Sequence, residues 1–273
     1  MGMSFEAGLR RPGEGLPPPG GARWTVQRVL SIRHWSPTLL SIRLTRDQGF
    51  RFTPGHYARL GLEGEGGPVW RPFSVVSAAY DEYLEFLAVR VPGGAFSARL
   101  DTLAVGGTVL VEKASYGFLT LDQLAPGRDL WLLASGSGLG PFLSILREPR
   151  VWQDFTRLIV AHSVRRAAEL AYRDEILALP GNELFDGARA RLQYLPVVTR
   201  EPGAAALPAR LPQLLADGRL EAAAGESLTC EDSRVMVCGN PEMARELRGQ
   251  LAARGLQTSR RGVPGQMAFE NYW

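Results

Sequence analysis

Along the first part of the chain, apolar and polar residues alternate with a period of two, as half-buried strands do. The alternation is clearest in WTVQRVLSI (24–32) and LLSIRLT (39–45). Further β-rich runs follow at HYARLGL (56–62), RPFSVVSA (71–78), YLEFLAVRV (83–91) and TVLVEK (108–113). The breaks at 34–37, 47–49, 64–68 and 106–107 carry turn-forming Gly, Pro, Asp and Ser. These short runs predict an antiparallel β-barrel or sandwich. Between the fifth and sixth, AFSARLDTL spaces Phe96, Leu100 and Leu103 by four and three, which predicts a helix plugging one end of the barrel.

Beyond Pro126-Gly127 the rhythm changes. DLWLLAS (129–135), RLIVAHS (157–163), RLQYLPVVT (191–199) and RVMVCG (234–239) are buried runs separated by helical patterns, the signature of a parallel sheet built from βαβ units. AELAYRDEILAL reads as a helix with Leu170, Ile176 and Leu177 near one face. After Cys238, Asn240 is a cap, Pro241 opens the first turn, Met243, Leu247 and Leu251 line a face, and Gly255 stops the helix. A chain of 273 residues agrees with about two domains at roughly 150 residues each. The expected division is a flexible tail over 1–23, an antiparallel β-barrel domain over 24–126 and an α/β parallel-sheet domain over 127–273. The tail is expected because Gly2, Gly8, Gly13, Gly15, Gly20, Gly21 and Pro17 to Pro19 leave it little to bury.

Composition narrows the classes. Hydrophobic residues at 45% and charged residues at 22% belong to a globular protein with a sizeable core. The 31 Lys and Arg against 28 Asp and Glu leave +3, too little for a nucleic-acid platform yet compatible with a local basic patch facing an acidic partner. No apolar run has the length of a membrane span. Cys230 and Cys238 are too few for a disulfide scaffold, a four-cysteine zinc site or an iron–sulfur cluster held by this chain, and they fit a reducing cytoplasm. The three histidines show no metal spacing; His162, ending a buried run, reads as structural, and His56 in TPGHYARL as a turn residue.

Three motifs carry candidate chemistry. Ser135-Gly136-Ser137-Gly138-Leu-Gly-Pro-Phe142 follows an apolar strand and leads into a helix, so its backbone N–H groups can approach a phosphate closely. Read alone, it serves equally as a tight βα connection. Arg71-Pro72-Phe73-Ser74, at the start of the fourth run, sets a cation, a flat ring and a hydroxyl side by side, suited to a phosphate and a planar heterocycle. Alone, this is more commonly a surface Arg followed by a half-buried strand residue. The terminus Phe269-Glu270-Asn271-Tyr272-Trp273 ends in rings rather than frayed polar residues, held either by something flat or by the domain's own surface.

Together, over residues 24 to 273, these segments resemble the bacterial type of ferredoxin (flavodoxin)–NADP reductase. RPFS resembles the family's RxYS motif, VPGGAFSARL its diphosphate segment, SGSGLGPF its TGTGxxPF loop, CGNPEM its CG(N/S)PxM loop and ENYW its aromatic terminus. The resemblance implies FAD as cofactor and NADP(H) as substrate. It implies that Arg71 binds the flavin diphosphate, that Phe73 stacks on the isoalloxazine where the family has Tyr, and that Ser74 lies near its N5. Pro72 belongs to the same motif. It further implies that Ala95, Phe96 and Ser97 contact the diphosphate, that Tyr272 covers the second flavin face, and that Trp273 packs near the adenine. Cys238 and Glu270 match the thiol and carboxylate of the nicotinamide pocket, with Gly239 and Asn240 continuing that loop. A positioning role is favoured for Cys238, because hydride transfer needs no protein nucleophile.

NADP rather than NAD is expected from the cations Arg165 and Arg166 after the second strand of the α/β domain, where NAD enzymes favour an acid. Arg165 and Arg200 match phosphate-binding arginines of the family, and a further one aligns with Gln193, near Arg191. The implied protein is a cytoplasmic monomer that exchanges electrons between NADPH and ferredoxin or flavodoxin through FAD, without nucleic-acid or membrane partners. The alternatives are an NAD(P)H-dependent flavin reductase, an oxygenase reductase component, and a non-catalytic flavin-binding subunit.

Overall fold

The computed structural model describes residues 23–270. The expected tail, apart from Arg23, and the terminal Asn271, Tyr272 and Trp273 lie outside the described residues.

The first half forms strands β1 (Trp24–His34), β2 (Leu39–Thr45), β3 (Tyr57–Leu62), β4 (Val69–Ser74), β5 (Tyr83–Val89) and β6 (Thr108–Tyr116), with helix α1 (Ala95–Leu100) between the last two. They pair antiparallel in the order β4-β3-β6-β1-β2-β5. The two edges are drawn together by an antiparallel bridge between Val75 and Phe86 and by the Val76 N–H donating to the Glu85 carbonyl at 2.8 Å. Alternation explains the interior: Leu40, Ile42 and Leu44 of β2, Leu84, Phe86 and Ala88 of β5, and Val109 and Val111 of β6 share one core. Phe96 and Leu100 of α1 enter that core, so the helix plugs the barrel as its spacing predicts.

One boundary differs from the sequence reading. Arg71 to Ser74 end β4 rather than begin it, because the strand starts at Val69 opposite Leu62. The motif therefore sits at the strand's exit, where it opens toward the second domain.

That domain has a parallel sheet of β7 (Asp129–Ser135), β8 (Arg157–Val164), β9 (Arg191–Val198), β10 (Ser233–Cys238) and β11 (Met267–Glu270), in the order β11-β10-β7-β8-β9. Period two divides β7 between faces. Leu130, Leu132 and Ala134 pack toward α2 (Gly140–Leu146), α3 (Pro149–Asp154) and α4 (Arg173–Ala178), whereas Trp131 and Leu133 pack toward α5 (Leu211–Ala216), α6 (Arg219–Ala224) and α7 (Pro241–Ala253). The result is a three-layer α/β domain. The α2 side also takes in Leu39, Val76 and Leu87 from the barrel, so one apolar core spans the seam between the domains.

Two elements depart from expectation. AELAYRDEILAL is not one helix: Tyr172 takes a left-handed φ of 58°, and the α-helix runs only over Arg173–Ala178. Ile176 is buried there, but Leu177 is 52% exposed. The terminal segment forms a fifth parallel strand, β11, which the hydrophobic pattern does not reveal. Among the described residues no helix is long and apolar enough to cross a membrane, and no group of three His, Cys, Asp or Glu could hold a metal ion.

Candidate functional site

The sheet order reverses between β7 and β10, which follow from opposite directions onto neighbouring positions. At such a switch point the loops after the two strands diverge and leave a crevice at the carboxyl ends. Here they interlock at their base. The Asn240 N–H donates to Ser135 Oγ at 2.8 Å, and Asn240 Oδ1 accepts from the N–H groups of Glu242 and Met243 at 2.9 and 3.1 Å, capping α7. Gly138 passes so close to β10 that a Cβ would overlap the Cys238 carbonyl group. Gly136 has φ +54°, which turns the chain out of β7.

His162, fully buried on β8, supports this loop from below. Its Nε2 lies 3.1 Å from the Gly136 carbonyl oxygen and its Nδ1 lies 3.1 Å from Tyr194 Oη. Burial pushes its pKa down to about 4, so the ring is neutral at physiological pH, and the Gly136 carbonyl opposes that shift by accepting from it.

The crevice continues across the seam as a cleft of about 280 Å³. From the barrel it is lined by Arg71, Pro72, Phe73, Ser74, Ala95, Phe96 and Ser97, and from the α/β domain by Ser137, Gly138, Cys238 and Gly239. Leu87, Val89, Val91 and Gly94 complete the wall. Val91 and Gly94 belong to the VPGGAFSARL segment, whereas sequence reasoning missed Leu87 and Val89, because the run YLEFLAVRV marks only a strand. The Phe73 and Phe96 rings are tilted at 42° with centroids 5.1 Å apart. Ser97 Oγ accepts the Val91 N–H at 2.8 Å, which orders the turn into α1. The exposed Arg71 donates to the Trp70 carbonyl at 2.8 Å and makes no ion pair among the described residues.

Glu270 lies beside Cys238 in the parallel register of β11 and β10. Its Oε1 accepts the Phe118 N–H at 3.4 Å and so reaches the barrel's Gly117 corner. Cys238 is 1% exposed, and burial first, with the Glu270 carboxylate second, pushes its thiol far up. A thiol held protonated is a poor nucleophile.

Arg165 and Arg200 stand apart from the cleft, after β8 and β9. The Arg200 N–H donates to the Arg165 carbonyl at 2.8 Å, which sets the two residues side by side. Both are exposed, and neither makes an ion pair among the described residues. Gln193 is elsewhere: it lies in the amino-terminal half of β9 and its amide donates to the Ala223 carbonyl at 3.0 Å, tying α6 to the sheet. At about 3.3 Å per strand residue, neither it nor Arg191 reaches the Arg165–Arg200 pair. Tyr272 and Trp273 lie outside the described residues, as noted.

The comparisons with known proteins divide the chain in the same order. The family model of the oxidoreductase FAD-binding domain matches residues 28–119, and that of the oxidoreductase NAD-binding domain matches residues 132–249. A ferredoxin–NADP reductase of Pseudomonas aeruginosa is 39% identical over 249 residues, 90% of this chain and 96% of the relative. A flavodoxin/ferredoxin–NADP reductase of Escherichia coli is 36% identical over 253 residues, 92% of this chain and 100% of the relative. A crystal structure of a ferredoxin NADP+ reductase from Neisseria gonorrhoeae with bound FAD and NADP superposes with a TM-score of 0.85 at 35% identity, covering 92% of this chain and 100% of that one.

Proposed function

The chain belongs to the ferredoxin (flavodoxin)–NADP reductase family, and from that premise we propose that it exchanges electrons between NADPH and ferredoxin or flavodoxin, using FAD. FAD, when bound, supplies the conversion between the electron pair of NADPH and the single electrons of the protein carrier. The observation that carries this reading is the shared cleft: RPFS and the α1 segment line it from the barrel, and the loops after β7 and β10 line it from the α/β domain.

The residues present fit the flavin. The cleft offers aromatic and aliphatic walls for a planar heterocycle and, in Arg71, a guanidinium without an ion pair among the described residues for a diphosphate. In this reading Arg71 neutralises the diphosphate, with Ala95, Phe96 and Ser97 beside it and Pro72 holding the turn of the motif. Phe73 stacks on the flavin, and Ser74 offers its hydroxyl to the flavin edge. Ser135, Gly136, Ser137 and Gly138 approach the nucleotide phosphates, while Gly239 and Asn240 shape the adjoining wall. Cys238 and Glu270 form the nicotinamide pocket: the neutral thiol packs against the ring and excludes water, and the carboxylate fixes the end of β11 to the barrel. Tyr272 covers the open flavin face and Trp273 packs near the adenine. Arg165 and Arg200 take the 2′-phosphate, and the protein works as a cytoplasmic monomer.

The test is an anaerobic titration of the purified flavoprotein with NADPH and, separately, NADH, following the visible flavin bands. Rapid bleaching by NADPH and slow bleaching by NADH is expected. In Arg165→Ala the KM for NADPH should rise roughly 10- to 100-fold, the value of a charge-assisted bond, and far more than the KM for NADH. A protein that takes up no FAD, or a flavin that neither nucleotide reduces, overturns the reading in favour of a non-catalytic binding subunit.

A further inference from the structure

The loop that carries Arg165 is held in an unusual way. Three successive backbone N–H groups are occupied by two carboxylates. Glu169 Oε2 accepts from Arg165 and Arg166 at 2.9 and 3.2 Å, and Glu201 Oε2 accepts from Ala167 at 2.8 Å. Glu201 belongs to the neighbouring loop, immediately after Arg200. That loop also sends bonds the other way: the Thr199 N–H donates to the Val164 carbonyl at 3.0 Å and the Arg200 N–H to the Arg165 carbonyl at 2.8 Å. The two loops are thus laced in both directions, beyond the ends of β8 and β9.

We propose that Glu201 is a positioning residue for NADPH selectivity, whose carboxylate ties the two loops so that Arg165 and Arg200 address one phosphate. The proposal rests on the reading above that this pair takes the 2′-phosphate. Two consequences follow from the geometry. First, the N–H groups of 165 to 167 already have acceptors, so an anion arriving here is bound by guanidinium groups rather than by backbone. Guanidinium groups on two separate exposed loops bind one anion well only if the loops are pre-ordered, because ordering them at the moment of binding costs conformational entropy. Second, Glu201 acts on the anion in two opposed senses. As a tether it sets the spacing of the arginines; as a charge it repels the phosphate they attract. Neither carboxylate forms an ion pair with Arg165 or Arg200 among the described residues, so the tether leaves both cations available.

The two senses are separable by substitution. Glu201→Gln keeps an oxygen that accepts the Ala167 N–H and removes the charge, whereas Glu201→Ala removes both. Steady-state kinetics with NADPH and with NADH on the FAD-loaded protein read the difference. In Glu201→Ala the KM for NADPH should rise about fivefold to tenfold more than the KM for NADH, with little change in kcat. In Glu201→Gln the KM for NADPH should stay at or fall below that of the parent chain. The proposal is overturned if Glu201→Ala leaves the NADPH to NADH ratio unaltered, or if Glu201→Gln behaves as Glu201→Ala. Arg165→Ala, run in parallel, separates this failure from that of the underlying reading. A selective loss of NADPH in Arg165→Ala with no effect in Glu201→Ala removes the tether alone, and no selective loss in either removes the phosphate site with it.

Discussion

Strand β5 meets the α/β domain along one face in two contrasting ways. Its inward residues, Leu84, Phe86 and Ala88, belong to the barrel core, and Glu85, Leu87 and Val89 point to the other side. At the first end, Glu85 is a buried carboxylate with 4% side-chain exposure. It accepts the Tyr172 hydroxyl at 2.9 Å and lies 3.5 Å from Arg147 Nη1, both groups of the α/β domain. Around it, Arg147 donates to the Val76 carbonyl at 2.8 Å and Ser144 to the Ser77 carbonyl at 2.8 Å. At the second end, Val89 lines the cleft, where the Ser97 hydroxyl is spent on the Val91 N–H of its own turn. The contrast teaches how a two-domain slot stays open. Several polar bonds lock the seam at one end, whereas at the other the Glu270 bond to the Phe118 N–H crosses beside a largely apolar wall that can face a ligand.

Breaking the locked end should have the largest effect. Glu85→Ala would leave the Arg147 guanidinium, 16% exposed, and the Tyr172 hydroxyl buried without their carboxylate. Removing one partner of a buried charge pair costs about 3–5 kcal/mol, and chemical denaturation should show a loss of that size. A loss below about 1 kcal/mol would mean that the seam is held by its apolar core alone. The cleft end should then respond secondarily, with weakened flavin retention in the folded fraction.

This locked end is also the part least legible in the sequence. Glu85 sits in YLEFLAV where period two permits either a wet or a dry face, and only the arrival of the other domain decides. Tyr172 looks like one more residue of a helix, because periodicity does not register a left-handed turn that brings its ring within 4.6 Å of Trp35. β11 is four residues long and owes its existence to β10 beside it. The cleft motifs were readable for the opposite reason. Gly and Pro punctuation is local, and the loops after β7 and β10 take their form from Gly136, Gly138, Asn240 and Pro241 themselves.

At the open end, His162 offers a test by pH. Its folded pKa of about 4 lies below the ordinary 6.5 because burial disfavours the cation. Between those values the unfolded chain binds a proton that the folded chain refuses, so stability is complete above pH 6.5 and falls as the pH drops toward 4. The loss amounts to about 3 kcal/mol. His162→Gln supplies an amide N–H for the Gly136 carbonyl without titrating, so its stability should decline less than that of the parent chain over the same window. Parallel decline of the two would show that the ring is solvated and does not brace the loop.

Gly138→Ala probes the open end with the smallest expected cost. The added Cβ overlaps the Cys238 carbonyl group, and the two loops must part to admit it. Overpacking of this kind costs about 1–3 kcal/mol, less than loss of the Glu85 clamp because a loop yields more readily than a buried ion pair. Its kinetic signature should differ from that of the arginines. The loops after β7 and β10 face the part of the nucleotide common to both cofactors in the proposed reading, so the KM for NADPH and for NADH should rise by the same factor. A change confined to NADPH would place the 2′-phosphate at the interlocked loops instead, and would move the selectivity site from the ends of β8 and β9 to the switch point between β7 and β10.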